Sequence, residues 1–451
     1  MSVALALTAI AAALAAGVGV TGLAWPRDRP LPALAWFGLA GLLGPCAIGL
    51  GLLLCGIAGV PTTVALPVLT AVCVVAGAAG IRNQRAARHP QGDPRGRPRI
   101  ARASSRVVVV AVLLAGGWAG WLSARTHLGW DGTLVWYQKA RIIAASGGVL
   151  PAATVADLTR KWTAPDYPLH VPLAMAWLRL WLPGEDERVI KVLPALWAAA
   201  VFALVGAAVM ERTGARRDAP WRATCAVLVL ATAPRLLVGE GSLTSGYADG
   251  PLAGLLAATV WVAWMSGWGA DRRFVPVLAA TALALAWTKQ EGALAVVVVA
   301  LACVAQGRAW RRAAFAVPAL GLAIGWQAWT MWQGAPAAMV YAWPGLGAAA
   351  WRPALTARAY VREMLDASTW GIFWPGLCVL AAAGWHPSRR VPLCIVAAVL
   401  LAGAAAFTLS TWIDLEAHLL VTVPRQLIQA APTVAIVAFA SGEGADDRPI
   451  R

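Results

Sequence analysis

Apolar runs of roughly 20 residues recur from one end of the chain to the other, each long enough to cross a hydrocarbon core about 30 Å thick. That recurrence constrains the fold more than any other feature. In lipid every backbone donor and acceptor has to be satisfied within its own segment, so such a chain folds as a bundle of helices. Composition agrees: 60% of the 451 residues are hydrophobic and 13% are charged. A soluble domain is about half apolar and about a quarter charged, so a water-facing enzyme, a disordered chain and a disulfide scaffold are all excluded.

The apolar pattern predicts spans at 2–25, 33–57, 61–81, 107–123, 190–210, 223–238, 251–268, 274–289, 292–306, 314–333, 370–385, 391–410 and 425–441, about thirteen in all. Charge then orients them. Segment 82–106 carries Arg82, Arg85, Arg88, Arg95, Arg97, Arg99, Arg102 and Arg106 against a single Asp93, which places it in the cytoplasm by the positive-inside rule. Alternation puts 26–32, 211–222, 269–273, 307–313, 386–390 and the C-terminal tail on the same side. These segments hold 23 of the 37 basic residues and 8 of the 21 acidic ones. One assignment sorts the whole chain, so the formal charge of +16 reads as membrane orientation and not as a nucleic-acid partner.

Residues 171–183, VPLAMAWLRLWLP, are apolar but span only about 20 Å as a helix. Making them cross would turn the Arg212, Arg216, Arg217 and Arg222 loop outward, so they are expected to form a re-entrant or interfacial helix. A large outer region then runs from 124 to 189, with further outer loops at 239–250, 334–369 and 411–424. The chain divides into an N-terminal three-span module (1–81), a basic linker (82–106), the main helical domain (107–441) and a tail (442–451). The first 25 residues lack a basic n-region and are long for a signal peptide, which favours a retained first span. Trp25, Trp121, Trp221, Trp268, Trp310 and Trp385 fall near span ends, as an interfacial belt would. The seven cysteines sit in apolar runs without paired spacing and are expected to be buried packing residues.

Ionisable groups near a membrane are costly and mark sites by default. Four clusters stand out, all on the outer side. Gly129-Trp130-Asp131-Gly132 precedes an amphipathic stretch, 133–145, expected to lie in the interface. Here Asp131 is either a helix N-cap or a functional carboxylate. Pro165-Asp166-Tyr167-Pro168-Leu169-His170 is a proline-stiffened turn. It is either an ordinary loop or a binder of a polar head group through Asp166, Tyr167 and His170. Tyr247-Ala248-Asp249-Gly250-Pro251 opens a span, where Asp249 again is a cap or a site residue. The fourth cluster joins Thr288-Lys289-Gln290-Glu291-Gly292 with His418 and Arg425. Lys289 and Glu291 form either a bland ion pair or part of a site. Arg425 either snorkels at a span end or holds a phosphate in bidentate fashion.

The order W-D-G…W-Y-x-K-A, P-D-Y-P-L-x-x-P, Y-A-D-x-P-L, T-K-Q-E-G and H-L-x(5)-R-x-L-x-Q-x-A-P resembles the GT-C membrane glycosyltransferases. Within them it is most similar to the glycosyltransferase family 39-like group, which includes the protein mannosyltransferases and the lipid A aminoarabinose transferases. The resemblance covers 107–441 and leaves the first three spans outside. It implies an all-α polytopic GT-C-like bundle in the bacterial plasma membrane. The implied reaction takes a sugar from a polyprenyl-phosphate donor to an extracytoplasmic glycan, lipid or protein acceptor, with inversion. In that scheme Asp131 is the general base and Asp249 assists. Lys289 and Arg425 meet the carrier phosphate, and Asp166, Tyr167, His170, Tyr247, Glu291 and His418 line the substrate site. The family often has a second acidic residue beside the base. Gly132 stands there in this chain, so no metal ligand set is assigned, and no cofactor beyond the lipid-linked donor. A lipid or solute transporter is the alternative reading. It calls for ionisable groups near mid-span, where this sequence has few.

Overall fold

A computed structural model describes residues 2–87, 99–182, 187–214, 216–336, 346–383, 386–409 and 414–440. The middle of the basic linker and the tail lie outside these residues. Among the described residues every regular element is helical, and eight helices are long and apolar enough to cross a bilayer. The molecule is thus a helical integral membrane protein by length and composition.

The N-terminal helices α1 (Ser2–Ala24), α2 (Ala33–Ile57) and α3 (Thr62–Ala87) pack against one another. Small residues bring α1 and α2 into backbone contact: a Cβ added at Gly17 would stand 2.0 Å from the Ala40 carbonyl oxygen. Close approach of this kind drives helix association where apolar burial against lipid gives little gain. The chain continues through α4 (Arg99–Arg125) and two helices of the outer region, α5 (Gln138–Ala145) and α6 (His170–Trp181). It then enters α7 (Val192–Thr213), α8 (Ala219–Thr232) and α9 (Asp249–Met265). All seventeen residues of α9 are buried. A helix that is apolar all round belongs at the centre of the bundle, and α9 packs against α7 and the helices that follow it.

Those are α10 (Val275–Ala286), α11 (Gln290–Gly307), α12 (Ala316–Trp332), α13 (Leu346–Leu365), α14 (Phe373–Ala383), α15 (Arg390–Leu409) and α16 (Leu415–Phe439). Each predicted span overlaps a helix, but α8, α9, α10, α12 and α14 are only 11 to 17 residues long. They cover roughly 16 to 26 Å, so the count of about thirteen crossings is not established. The causes are local. The predicted span 251–268 stops at Met265 because Gly267, Trp268 and Gly269 all take positive φ, and α8 stops before Pro234, where a short second helix begins.

The predicted short apolar helix is α6, twelve residues of which nine are buried. It packs on α2 and α5 and donates from Trp177 Nε1 to the Ala9 carbonyl at 3.0 Å. The predicted outer loop 334–369 contains the amphipathic helix α13, which lies on α15 and α16. Two sequence expectations need correction. Trp25 and Trp268 are buried and not part of an interfacial belt. Trp25 stacks on Trp261 with ring centroids 5.7 Å apart and meets the edge of Phe274. Cys225, Cys378 and Cys394 are exposed on helix surfaces, so only Cys46, Cys73 and Cys303 are buried packing residues.

Candidate active site

The segments carrying Asp131 and Asp249 dock on one another. The Gly129 N–H donates to the Ser245 carbonyl at 2.9 Å, and the Asp131 N–H donates to the Tyr247 hydroxyl at 3.0 Å. A Cβ on Gly132 would lie 2.7 Å from that same Ser245 oxygen, so glycine at this position is what permits the approach. The second acidic residue expected from the resemblance would not fit here without moving backbone. A π-helical turn, Gly132–Tyr137, leads from Asp131 into α5.

Asp131 does not cap that turn, because its side chain makes no bond to the following amides. Its Oδ2 accepts instead from Arg425 Nη1 at 2.8 Å. Arg425 also donates through Nε to Asp249 Oδ2 at 2.9 Å, and its guanidinium lies 4.9 Å from the Tyr247 ring centre. One cation therefore bridges two carboxylates that are 118 positions apart in the chain. Asp249 is fully buried and its Oδ1 accepts from Lys289 Nζ at 3.2 Å and Gln429 Nε2 at 2.5 Å. Lys289 in turn meets Glu291 at 2.8 Å. The result is a continuous chain of charge, Asp131–Arg425–Asp249–Lys289–Glu291, with three anions and two cations. The carboxylates alternate with cations and accept from their N–H groups, which makes them an ion-pair chain. Among the described residues no group of three or more His, Cys, Asp or Glu could hold a metal ion.

Arg425 is not the first residue of its span. The helix starts at Leu415, ten residues earlier, so Arg425 lies roughly 15 Å along α16, and its guanidinium is held by Asp131 and Asp249. Asp414 caps α16 by accepting from the Glu416 and Ala417 amides at 3.0 and 3.1 Å, which fixes where the helix begins.

The charge chain forms one wall of a cavity of about 670 Å³. Asp131, Tyr167, Lys289, Glu291, His418 and Arg425 all line it. Asp249 and Tyr247 stand behind Arg425 and are reached through it. Two further predicted site residues, His170 and Asp166, do not face the cavity. His170 is fully buried, its Nδ1 bonded to Thr288 Oγ1 at 2.7 Å and its ring edge-on to Trp197. It ties the 165–170 turn to the α10–α11 turn. Asp166 anchors the same turn, accepting from Gln290 Nε2 at 3.0 Å, while its backbone carbonyl takes Trp326 Nε1 and Gln327 Nε2. Proline stiffening is legible in sequence, but which side chains it turns inward is not.

Sequence reasoning did not assign Gln426 and Gln429. Both line the cavity, one and four positions beyond Arg425, so the i, i+4 spacing on one helix face was the available signal for Gln429. Trp130, Lys161, Trp162 and Glu240 form the exposed rim, and Phe407 and Val421 form an apolar wall. Val421 and its neighbour Leu420 are exposed on α16, so the apolar wall continues onto a helix face suited to lipid.

Beneath the site, Lys139 is fully buried in α5, donating to the Ala164 carbonyl at 2.9 Å with the Trp136 and Tyr167 rings beside it. Burial pulls its pKa down to about 7, opposed by the negative charges of Asp166 and Asp131. Burial, reinforced by the Asp131 carboxylate, holds the Tyr247 hydroxyl above its ordinary value, so it stays protonated.

No family model matches the chain, and no curated protein or solved structure matches it. What the fold and site define is a class: a helical integral membrane protein with a charged cavity built from segments far apart in sequence.

Proposed function

We propose that this protein is a GT-C-type glycosyltransferase that moves a sugar from a polyprenyl-phosphate donor to an acceptor hydroxyl on the extracytoplasmic face of the bacterial plasma membrane. The observation that carries the proposal is the Arg425 bridge between Asp131 and Asp249 in a cavity with two kinds of wall. The apolar side, with Phe407 and Val421, suits a polyprenyl chain. The rim of Trp130, Lys161, Trp162 and Glu240 suits a polar acceptor.

In this reading Asp131 takes the proton from the acceptor hydroxyl as its oxygen bonds to the sugar's anomeric carbon. The bond from that carbon to the phosphate oxygen breaks, and polyprenyl phosphate leaves with the bonding pair. Attack from the opposite face inverts the centre, through an oxocarbenium-like transition state. The leaving phosphate needs charge compensation more than protonation, which a preorganised cation in a partly dry cavity supplies. Arg425 is that cation. To serve, it exchanges Asp131 for phosphate while keeping its Nε bond to the buried Asp249. The same exchange releases Asp131 to act as base, so donor binding precedes base activation. Lys289 shares the charge.

The test is sugar transfer from a radiolabelled polyprenyl-phosphate monosaccharide panel in proteoliposomes. Asp131→Asn is expected to lower transfer about 10²- to 10⁴-fold, the usual weight of a general base, with insertion unchanged. Near-normal transfer in that variant removes the reading. Arg425 and Asp249 inside the helical bundle also favour the transporter alternative, since intramembrane charges often mark a transport path. Movement of intact labelled donor across the bilayer, without release of polyprenyl phosphate, would select it.

A further inference from the structure

Besides Lys139, a second buried lysine outside the charge chain sits between the two acid-bearing segments. Lys191, at the start of α7, is almost fully buried and spends its three N–H bonds on neutral oxygens. Its Nζ donates to Thr126 Oγ1, the His127 carbonyl and the Thr244 carbonyl, each at 3.1 Å. Its own carbonyl accepts from Ser123 Oγ at 2.8 Å. One helical turn earlier, Glu187 accepts the Leu128 N–H at 2.8 Å. Segment 187–191 thus holds both backbone polarities of 127–128 and, through the same ammonium, residue 244.

These two anchored strands of chain lead directly to the acids of the site. Asp131 follows His127 by four residues and Asp249 follows Thr244 by five. Arg425 reaches both with different nitrogens of one rigid guanidinium, at 2.8 and 2.9 Å. A planar fork of fixed size meets two carboxylates only if their separation is fixed too. Between the two segments the direct ties are the 129–245 and 131–247 bonds, and Lys191 is a second cation, beside Arg425, that holds both. An ammonium surrounded by carbonyl and hydroxyl oxygens gains strong charge-assisted bonds, and an uncharged replacement would leave those carbonyls buried without partners.

We infer that Lys191 is a positioning residue: by clamping 126–128 to 244 it sets the Asp131–Asp249 separation that Arg425 bridges. It touches neither the cavity nor any reacting atom. The catalytic consequence rests on the glycosyl-transfer reading, whereas the clamp itself does not.

The experiment compares wild type, Lys191→Met, Lys191→Arg and the milder Thr126→Val and Glu187→Gln in nanodiscs. Hydrogen exchange is followed at 126–131 and 243–248, with decaprenyl phosphate as the binding probe. Lys191→Met should raise exchange in both segments together, at least tenfold, while α9 and α16 stay protected. Lys191→Arg should restore much of the protection. Thr126→Val and Glu187→Gln should loosen 126–131 more than 243–248, and they carry the test if Lys191→Met fails to insert. Because phosphate displaces Asp131 from Arg425, decaprenyl phosphate affinity should rise in Asp131→Asn and in Lys191→Met but rise no further in Lys191→Met/Asp131→Asn than in Asp131→Asn alone, since Lys191 acts through the placement of Asp131. Exchange that rises in neither segment, or in only one, overturns the clamp. So does a fully additive double variant. If the two segments loosen as expected while wild type binds no decaprenyl phosphate and transfers no sugar, the glycosyl-transfer reading fails and the clamp stands.

Discussion

Replacing Arg425 with Met removes the cation from between two carboxylates with different environments, and the difference can be measured. Asp249 is fully buried, whereas the Asp131 side chain is 27% exposed. Removing one partner of a buried pair costs about 3–5 kcal/mol, because the other charge is left uncompensated. Asp249 keeps Lys289 and Gln429, which puts the loss near the lower end, about 3 kcal/mol. The Asp131 half contributes at most about 1 kcal/mol, as partly solvated pairs do. Thermal unfolding in nanodiscs should therefore show Arg425→Met melting several degrees below wild type. Adding Asp249→Asn should recover most of the loss, since the orphaned charge is gone and Lys289 retains Glu291 at 2.8 Å. Adding Asp131→Asn should recover almost nothing. If Asp131→Asn rescues as well as Asp249→Asn, or if Arg425→Met melts like wild type, the charge chain does not hold the site as argued.

Lys139 binds its proton more weakly folded than unfolded, with a folded pKa of about 7 against an ordinary 10.5. Unfolding takes up a proton between those values, so raising the pH through that window should stabilise the protein. Lys139→Met should flatten the pH dependence of melting there. Gly132→Ala sets a methyl 2.7 Å from the Ser245 carbonyl and should cost about 1–3 kcal/mol by overpacking. In the same variant, exchange at 128–131 and 243–248 should rise. Trp162→Cys places a thiol on the exposed cavity rim. In right-side-out vesicles a membrane-impermeant maleimide added outside should label it, and labelling only after permeabilisation would reverse the assigned orientation.

Hydrophobic run length and the 82–106 arginines fix a polytopic helical fold and an expected orientation, because burial in lipid depends on composition averaged over twenty residues. The polar clusters were also legible one at a time, since charge against an apolar background is conspicuous. Their partners were not. Asp131 and Asp249 both read as helix caps locally, Arg425 read as a span end, and Lys289 with Glu291 read as a hairpin pair. Each local account treats only neighbours in the chain. The folded bundle decides otherwise: α16 begins ten residues before Arg425, and its helical spacing carries Gln429 to Asp249. It also turns His170 away from the cavity to Thr288 and leaves Lys191, unremarkable in sequence, clamping two distant segments. Span formation is a one-dimensional property of the chain. Which charges neutralise which depends on helix register and packing, and those exist only once the bundle has closed.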